Sequence, residues 1–188
     1  MFIVFEGIDG TGKSTQVQFL ADALRAKGHE VITSKEPTDG PHGTRLRNSA
    51  ETGRLSPQEE LDLFHLDRRE HVETLIKPAL ARGAAVILDR YYFSTMAYQG
   101  LRGFDPQEIR ETNEKFAPVP DHVFILEVPI DVALSRIGAR DGETNEFEQR
   151  GALEGCHKIF SALPDNFIHR IDATAPPETV HSAVLSHL

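Results

Sequence analysis

Apolar and polar residues follow two different spacings along the chain, and their alternation predicts strands interleaved with helices. Short runs rich in apolar residues, typical of buried strands, cover FIVF (2–5), HEVITS (29–34), AAVILDR (84–90), HVFILEV (122–128) and NFIHRID (166–172). Apolar residues recur three or four positions apart, as on one face of a helix, near 17–24, 55–83, 93–99, 105–116, 130–139, 152–162 and 176–188. We therefore expect a doubly wound, three-layer α/β/α fold around a five-stranded parallel sheet.

The longest helical stretch carries recognisable signals at both ends. Ser56 is a good N-cap, Pro57 suits the first helical position, and Glu59 completes a capping box three residues after the cap. Gly83 follows the last apolar repeat, as is typical of a helix end. The sequence therefore predicts one long helix over 55–83.

A glycine-rich loop lies between the first predicted strand and the first predicted helix. It fits the phosphate-binding pattern G-x-x-x-x-G-K-[ST] and comprises Gly7, Ile8, Asp9, Gly10, Thr11, Gly12, Lys13, Ser14 and Thr15. Glycines let successive N–H groups converge on phosphate oxygens. Lys13 is suited to neutralise the outer phosphates, and the hydroxyl of Ser14 to bind Mg²⁺. A chance glycine turn is the alternative, but the strand before and the helix after favour a nucleoside triphosphate site.

Polar residues also follow the second and third predicted strands, at the edge of the sheet where ligands gather. Asp89 and Arg90 come directly after a buried run; the carboxylate suits the shell of Mg²⁺ and the guanidinium suits a phosphate. Lys35, Glu36 and Pro37 form a rigid loop that is placed to contact a substrate. A structural role stays open for both groups, as a charged pair that ends a strand and as a solvated turn.

One face of the long helix combines aromatic and basic side chains. Phe64, Asp67, Arg68 and His71 lie three or four residues apart. A ring and an arginine separated by one turn are suited to stack on a base and to hydrogen-bond its edge. The alternative is a core phenylalanine beside an exposed arginine.

The segment 134–151 is polar and contains Arg136, Arg140 and Arg150. Such a segment, over about 136–151, suits a lid that closes over a triphosphate, excludes water and brings an arginine to the transferring group. An exposed loop with solvated charges is the alternative.

Bulk properties restrict the class of protein. A chain of 188 residues is expected to form a single domain over 1–188, and a net charge of −9 with a pI near 5.4 argues against a nucleic acid polymer as partner. Cys156 is the only cysteine, which excludes an internal disulfide and favours a reducing compartment. With neither a signal-like start nor an apolar run of about 18 residues, we expect a cytoplasmic protein with no membrane partner.

Taken together, these motifs resemble the thymidylate kinase family of nucleoside monophosphate kinases. The resemblance covers nearly the whole chain and rests on FEGIDGTGKSTQ, KEP, LFHLDRREHV, IKPALARGAAVILDRYYFSTMAYQG and IDAT, in the order and spacing of the family. It implies a P-loop kinase fold and phosphorylation of dTMP to dTDP with the γ-phosphate of ATP, in dTTP biosynthesis. It also implies Mg²⁺ as cofactor and a homodimer.

The resemblance further implies a role for individual positions. Phe64 matches the ring that stacks on thymine and Arg68 the group that hydrogen-bonds the base, while Tyr98 matches the tyrosine against the 2′ carbon of the sugar. Asp9 matches the carboxylate that faces the sugar and its 3′-hydroxyl. The predicted substrate-binding set is Asp9, Glu36, Pro37, Phe64, Arg68, Arg90, Thr95, Tyr98 and Gln99, in which Thr95 and Gln99 supply polar contacts to the base and Arg90 binds the acceptor phosphate.

The same resemblance implies which residues bind ATP and the metal ion and which are catalytic. The predicted set is the loop from Gly7 to Thr15 together with Arg136, which matches an arginine against adenine, and 172–174 matches the loop that closes the adenine pocket. Ser14 and Asp89 are the predicted metal-binding residues. Lys13, Arg90 and Arg140 are the predicted catalytic residues.

Two positions depart from the family pattern. The family usually has arginine where this chain has Lys35, so the bidentate fork is lost. The lid motif of the family usually reads Asp-Arg-apolar-Glu, whereas this chain has NEFE (145–148), with Glu146 in place of the arginine. Arg140 is therefore the predicted lid arginine, with Arg150 as second choice. A kinase for another nucleoside monophosphate and a catalytically impaired nucleotide-binding homologue stay open as alternatives.

Overall fold

The structure, a computed structural model, describes residues 1–53, 55–141 and 146–188. Its single sheet has five parallel strands in the order β2-β3-β1-β4-β5. The strands are β1 (Phe2–Glu6), β2 (Val31–Lys35), β3 (Ala85–Asp89), β4 (His122–Glu127) and β5 (Ile168–Asp172). The predicted fold class is confirmed, and all five strands lie where the apolar runs placed them.

Helices cover both faces of the sheet. They are α1 (Lys13–Ala26), α2 (Pro41–Thr52), α3 (Pro57–His71), α4 (Lys77–Ala81), α5 (Tyr92–Gly100), α6 (Pro106–Glu114), α7 (Ile130–Asp141), α8 (Glu146–Ser161) and α9 (Pro177–Leu185). Because crossovers between parallel strands are right-handed, the connection from β1 to β2 and the later connections toward β5 place their helices on opposite faces. The inner strands β1 and β3 are almost completely buried as a result.

The long helix predicted over 55–83 exists, but its middle is locally wider. Ser56 and Glu59 form the predicted capping box. Between α3 and α4, the segment Val72–Ile76 is a π-helical turn in which the N–H of Lys77 reaches back to the carbonyl of Val72. Pro78 has no N–H to donate to the preceding turn, and such a loss commonly causes a local rearrangement of a helix.

The sequence analysis missed α2. Its residues include glycine, threonine, serine and asparagine, which have low helix propensity. Tertiary contacts stabilise it instead: Arg47 donates to the carbonyls of Pro37 and Thr38 at 2.9 and 2.7 Å. A Cβ on Gly43 would run into the carbonyl oxygen of Thr38, so glycine permits this close approach. The helix therefore supports the loop that follows β2.

Helical structure also extends into the polar segment over 136–151. In the described residues, α7 continues to Asp141 and α8 begins at Glu146, rather than ending near 139 and beginning near 152. No helix in the described parts of the chain has both the length and the apolar character needed to cross a bilayer.

Candidate active site

The carboxyl ends of β1, β2 and β3 meet at one edge of the sheet, and two adjoining cavities open there. The aromatic cavity, of about 200 Å³, is lined by Asp9, Glu36, Pro37, Phe64, Arg68, Arg90, Tyr91, Ser94, Thr95 and Tyr98. The loop cavity, of about 320 Å³, is lined by Asp9, Gly10, Gly12, Lys13, Ser14, Thr15, Asp89, Arg90 and Arg136. The two cavities share Asp9 and Arg90, which form the wall between them.

The backbone of the loop requires glycine where it packs most closely. Gly7 has a φ of +129°, and a Cβ there would lie 2.5 Å from the carbonyl oxygen of Leu126. Gly10 has a φ of +82°, and its Cβ would lie 2.7 Å from the carbonyl oxygen of Ala133 in α7. L side chains rarely adopt such angles. The loop is therefore held against β4 and α7 by contacts that only glycine allows.

Lys13 lies over the loop at the start of α1. Its Nζ donates to the carbonyls of Ile8 and Gly7 at 2.8 and 3.2 Å, and the residue is buried. Burial, together with the nearby charge of Arg90, lowers the pKa of Lys13 to about 8. An ammonium group held by weak backbone acceptors beside an open cavity is well placed to exchange them for phosphate oxygens.

Ser14 and Asp89 come together from α1 and the end of β3. The hydroxyl of Ser14 donates to Oδ2 of Asp89 at 2.5 Å, and both residues line the loop cavity. Hydroxyl and carboxylate oxygens are ligands that Mg²⁺ prefers. The pair therefore fits the metal-binding role predicted for it.

Arg90 joins the two cavities through four hydrogen bonds. Nη2 donates to Oδ1 of Asp9 at 2.6 Å and to the hydroxyl of Tyr98 at 3.3 Å, and Nη1 donates to Ser94 Oγ at 2.8 Å and to the carbonyl of Gly7 at 3.3 Å. Burial raises the pKa of Asp9, but the charges of Arg90 and Lys13 more than offset this effect and keep it low. Two short bonds thus hold the guanidinium, while the two long ones are easier to exchange for a ligand.

The floor of the aromatic cavity is a buried ionic network. Arg68, 1% exposed, donates from Nε to Oε2 of Glu36 at 2.8 Å, and its Nη2 lies 2.7 Å from the same oxygen. Nδ1 of His71 lies 2.9 Å from Oε1 of Glu36, and its Nε2 lies 2.9 Å from Ser34 Oγ. Both carboxylate oxygens of Glu36 are therefore engaged, and the network ties β2 to α3.

The same arginine also reaches two polar residues from other helices. Nη1 of Arg68 donates to Oδ1 of Asn113 at 2.7 Å, and Nη2 donates to Oγ1 of Thr95 at 3.0 Å. Asn113, 0% exposed, in turn donates to the carbonyl of Ile109. Asn113 and the bridging role of His71 were missed by the sequence analysis, because the members of the network lie far apart in the chain.

Aromatic side chains form the walls of this cavity. Phe64 is half-buried on α3, the ring of Tyr98 lies beneath the guanidinium of Arg90 at 5.2 Å, and Tyr91 lies beneath that of Arg68 at 5.3 Å. Pro37 follows Glu36 through a cis peptide bond and completes the lining. Tyr91 and Ser94 were not predicted as site residues, although both belong to the segment directly after Arg90.

Arg136 connects the loop to the end of β5. Its Nη1 donates to the carbonyl of Gly10 and its Nη2 to the carbonyl of Ala173, each at 3.2 Å. Ala173 lies in 172–174, where Thr174 donates from both its N–H and its hydroxyl to Asp172. The predicted adenine-side residues therefore lie together beside the loop cavity.

Glu6 is a further site residue that sequence reasoning missed. It ends β1, is 0% exposed, and accepts hydrogen bonds from the N–H groups of Tyr91 and Ser94 and from the hydroxyl of Ser94. Burial raises its pKa to about 7. In the sequence, its burial is indicated only by the apolar run that directly precedes it.

A few predicted residues do not line either cavity. The carbonyls of Gly7 and Ile8 and the side chain of Thr11 face inward, where they accept from Lys13 or bond within the loop. Gln99 is 2% exposed on α5, and among the described residues its Oε1 has no hydrogen-bond partner. Arg140 lies in α7, but its side chain is outside the described residues.

The chain is similar in sequence to known proteins over nearly its whole length. The sequence model of a family described as thymidylate kinase matches residues 5–184. A thymidylate kinase of Akkermansia muciniphila is 57% identical over 97% of this chain and 88% of that protein. Thymidylate kinases of Xanthomonas campestris pv. campestris (strain B100) and Xylella fastidiosa (strain M12) are 50% and 51% identical, over 100% and 98% of this chain and 84% and 85% of theirs.

Proposed function

The chain belongs to the thymidylate kinase family, and from that premise we propose a role for each part of the site in the phosphorylation of dTMP by ATP. An anionic oxygen of the dTMP 5′-phosphate attacks the γ-phosphorus, the bond to the β–γ bridging oxygen breaks, and dTDP and ADP are formed. This is a step of dTTP biosynthesis. The observation that carries the proposal is the pair of adjoining cavities that share Arg90 and Asp9.

ATP is proposed to bind in the loop cavity. The N–H groups of the loop and of the first turn of α1 offer donors and a positive dipole end to the phosphates. Lys13 exchanges the carbonyls of Gly7 and Ile8 for β- and γ-phosphate oxygens. Arg136, which already spans the loop and the end of β5, packs against the adenine ring.

Thymidylate is proposed to bind in the aromatic cavity. Phe64 stacks on the thymine ring, and Arg68, oriented by Glu36 and Thr95, donates its remaining N–H to the base edge. Tyr98 packs against the 2′ carbon and disfavours a ribose 2′-hydroxyl, while Asp9 receives the 3′-hydroxyl. Gln99 is proposed to contribute a polar contact to the base.

Arg90 is proposed to bind the acceptor phosphate, because it stands in the wall between the two cavities. The acceptor oxygen is already anionic near neutral pH, so no general base is required. Catalysis then consists of positioning the two phosphates and neutralising their charge with Arg90 and Lys13.

Ser14 and Asp89 are proposed to hold a Mg²⁺ ion bound with the phosphates of ATP. Their oxygens already converge at the wall of the loop cavity. When bound, the ion neutralises charge on the β- and γ-phosphates. Calorimetry of ATP binding with and without Mg²⁺ tests the assignment: the Mg²⁺-dependent part of the affinity is expected to be lost in Ser14→Ala and to persist in a Ser161→Ala control.

The lid arginine is proposed to be Arg140. The second choice, Arg150, donates a hydrogen bond to Oδ1 of Asp131 at 2.5 Å. This bond ties its side chain to the start of α7. Arg140→Ala is expected to lower kcat at least about 10-fold while dTMP binding changes little, since a lid arginine acts on the transferring group. Unchanged turnover would contradict this assignment and move the role to Arg150 or to no arginine at all.

The native assembly is proposed to be a homodimer in the cytoplasm. Leu66, 46% exposed on the outer face of α3, offers apolar surface for a second copy, and light scattering of the purified protein tests the mass. A single buried thiol suits a reducing compartment, and fractionation of cells tests the location.

The function is tested by an ADP-release assay over a panel of nucleoside monophosphates. We expect dTMP to be the best acceptor, dUMP to be weaker because it lacks the 5-methyl group, and ribonucleotides to be weakest because of Tyr98. A better acceptor than dTMP would identify another monophosphate kinase. Binding of ATP and dTMP by calorimetry without dTDP formation would identify an impaired homologue.

A further inference from the structure

Glu6 lies beneath the wall that separates the two cavities, yet it lines neither of them. It is the last residue of β1 and is 0% exposed. A glutamate is rarely buried so completely unless its carboxylate is bonded to specific partners. Among the described residues, the hydrogen-bond partners of its carboxylate all belong to the segment that carries Arg90.

The carboxylate of Glu6 caps α5 from another element. Its Oε1 accepts from the N–H of Tyr91 at 2.7 Å and from the N–H of Ser94 at 3.2 Å. Tyr91 is the N-cap residue of α5, and its own side chain makes no capping bond. The first N–H groups of a helix need an acceptor, and Glu6 supplies one that also complements the helix dipole.

A second set of contacts leads from Glu6 to the guanidinium of Arg90. Ser94 Oγ donates to Oε2 of Glu6 at 2.6 Å and accepts from Nη1 of Arg90 at 2.8 Å. An arginine can only donate, so the proton of Ser94 has to point toward Glu6. The carboxylate therefore fixes the direction of the hydroxyl, and the hydroxyl fixes one edge of the guanidinium.

The backbone of Arg90 makes this arrangement possible. Its φ is +73°, in the left-handed region, and its N–H donates to the carbonyl of Phe5 at 2.9 Å. The chain turns sharply at this residue, so that the N–H of Tyr91 and the side chain of Arg90 both approach the end of β1. Such a conformation is costly for a residue with a Cβ and persists where the surroundings enforce it.

We propose that Glu6 is a positioning residue for phosphoryl transfer, which acts through Ser94 to hold the guanidinium of Arg90 toward the acceptor phosphate. The inference rests on the proposed function for the identity of the reaction. It extends that function because Glu6 touches neither nucleotide and acts only on the direction in which Arg90 points.

The charge of Glu6 matters to this role. In the described part of the chain, Arg90, from the turn after β3, and Lys13, from α1, are the charged groups that lower the pKa of Glu6 against the effect of burial. An ionised carboxylate accepts the proton of Ser94, whereas a neutral amide or acid offers a donor in its place. Glu6→Gln keeps the shape of the side chain but replaces one acceptor oxygen with a donor. Because Oε1 already accepts from two backbone N–H groups, the amide nitrogen is expected to face Ser94 and to reverse that bond.

The test compares Glu6→Gln, Ser94→Ala and the double variant with Glu127→Gln as matched control. Glu127 ends the neighbouring strand β4, and its carboxylate lies 3.7 Å from Nε of Arg170. Glu6→Gln is expected to lower kcat about 10- to 100-fold, the size of a lost charge-assisted hydrogen bond, with the KM for ATP changed less than about twofold. The double variant is expected to be no worse than the poorer single variant, because both act through one path.

Binding separates positioning from a general structural role. Thymidine lacks the phosphate that Arg90 is proposed to bind, so Glu6→Gln is expected to weaken dTMP binding about 10-fold and to leave thymidine binding unchanged. Wild-type kcat in Glu6→Gln, or an equal loss for both ligands with a lower melting temperature, would overturn the inference. If the wild-type protein forms no dTDP, the proposed function fails, and the ratio of dTMP to thymidine affinity still tests Glu6.

Discussion

The two cavities hold their basic residues in opposite ways. In the aromatic cavity, Arg68 is held by the side chains of Glu36, Thr95 and Asn113. In the loop cavity, Lys13 rests on two carbonyls of its own loop. A guanidinium held by side chains of several elements is part of the packed core, whereas an ammonium on backbone oxygens is free to exchange them. With the roles proposed above, the group that recognises the base is also part of the packed core, whereas the lysine that neutralises the phosphates of ATP is not needed for the fold.

Lys13→Ala should have the largest effect on turnover, and it should impair the loop cavity without disturbing the aromatic cavity. We expect kcat to fall about 10³-fold or more, because a preorganised charge on the transferring phosphate is lost. The melting temperature should stay within about 2 °C of wild type or rise slightly, since burial already lowers the pKa of Lys13 to about 8 and disfavours its charge. A coupled assay and a thermal melt measure the two quantities.

Lys27→Ala, at the exposed other end of α1, is the control and should change neither quantity. Wild-type turnover in Lys13→Ala would contradict the assignment of the loop as the ATP site. A large loss of stability would contradict the contrast between the two cavities.

Glu36→Gln, in the aromatic cavity, should have the opposite effect to Lys13→Ala: it should lower the stability of the fold. Removing one partner of a buried ion pair leaves Arg68 without its counter-charge, which typically costs about 3 to 5 kcal/mol in the free energy of unfolding. Binding of dTMP should weaken as well, because Arg68 loses its orientation. Urea unfolding and calorimetry measure these changes.

Glu73→Gln removes the glutamate of an exposed ion pair in the same way, since Glu73 is 63% exposed beside Lys77. Exposed pairs contribute about 0 to 1 kcal/mol, so this control should unfold nearly as the wild type does. Equal stabilities for the two variants would mean that the buried network is not part of the core.

Glu6 lies beneath both cavities. The pH dependence of the free energy of unfolding tests whether its buried carboxylate contributes to stability in the way that Glu36 does. Burial raises its pKa to about 7 from 4.5, so the folded protein binds this proton more tightly than the unfolded chain does. The resulting stabilisation is present below pH 4.5 and is lost as the pH rises through 7. Relative to Glu6→Gln, the wild type should lose about 2 to 3 kcal/mol of unfolding free energy from about pH 5 to pH 8. A difference that stays constant across urea titrations at the two pH values would show that the carboxylate does not titrate in this range.

The parts of the molecule that were predicted from sequence are those with local signals. The phosphate-binding loop combines fixed spacing with a strand before it and a helix after it, and the capping box at Ser56 is complete within four residues. The apolar runs located all five strands, and the edge rule for parallel sheets brought Asp89 and Arg90 to the loop. Each of these inferences needs only neighbouring residues and general topology.

The parts that were missed depend on partners that lie far away in the chain. The helix α2 has weak intrinsic propensity and relies on Arg47 and on the close approach at Gly43. Asn113 and His71 acquire their roles only when α6, β2 and α3 meet. In the sequence, Glu6 is an ordinary polar residue at the end of a strand. Only the structure shows that the turn at Arg90 buries it. Long-range contacts of this kind leave no periodic trace in the sequence.

The contact between Gly10 and the backbone of Ala133 limits how this enzyme can be re-engineered. Placing an arginine within the glycine-rich loop would be one way to add a cation beside the proposed phosphate site. At position 10 any side chain would meet a main-chain oxygen that cannot rotate away. An arginine at that position is therefore expected to push α7 off the loop and to break the hydrogen bond from Arg136 to the carbonyl of Gly10.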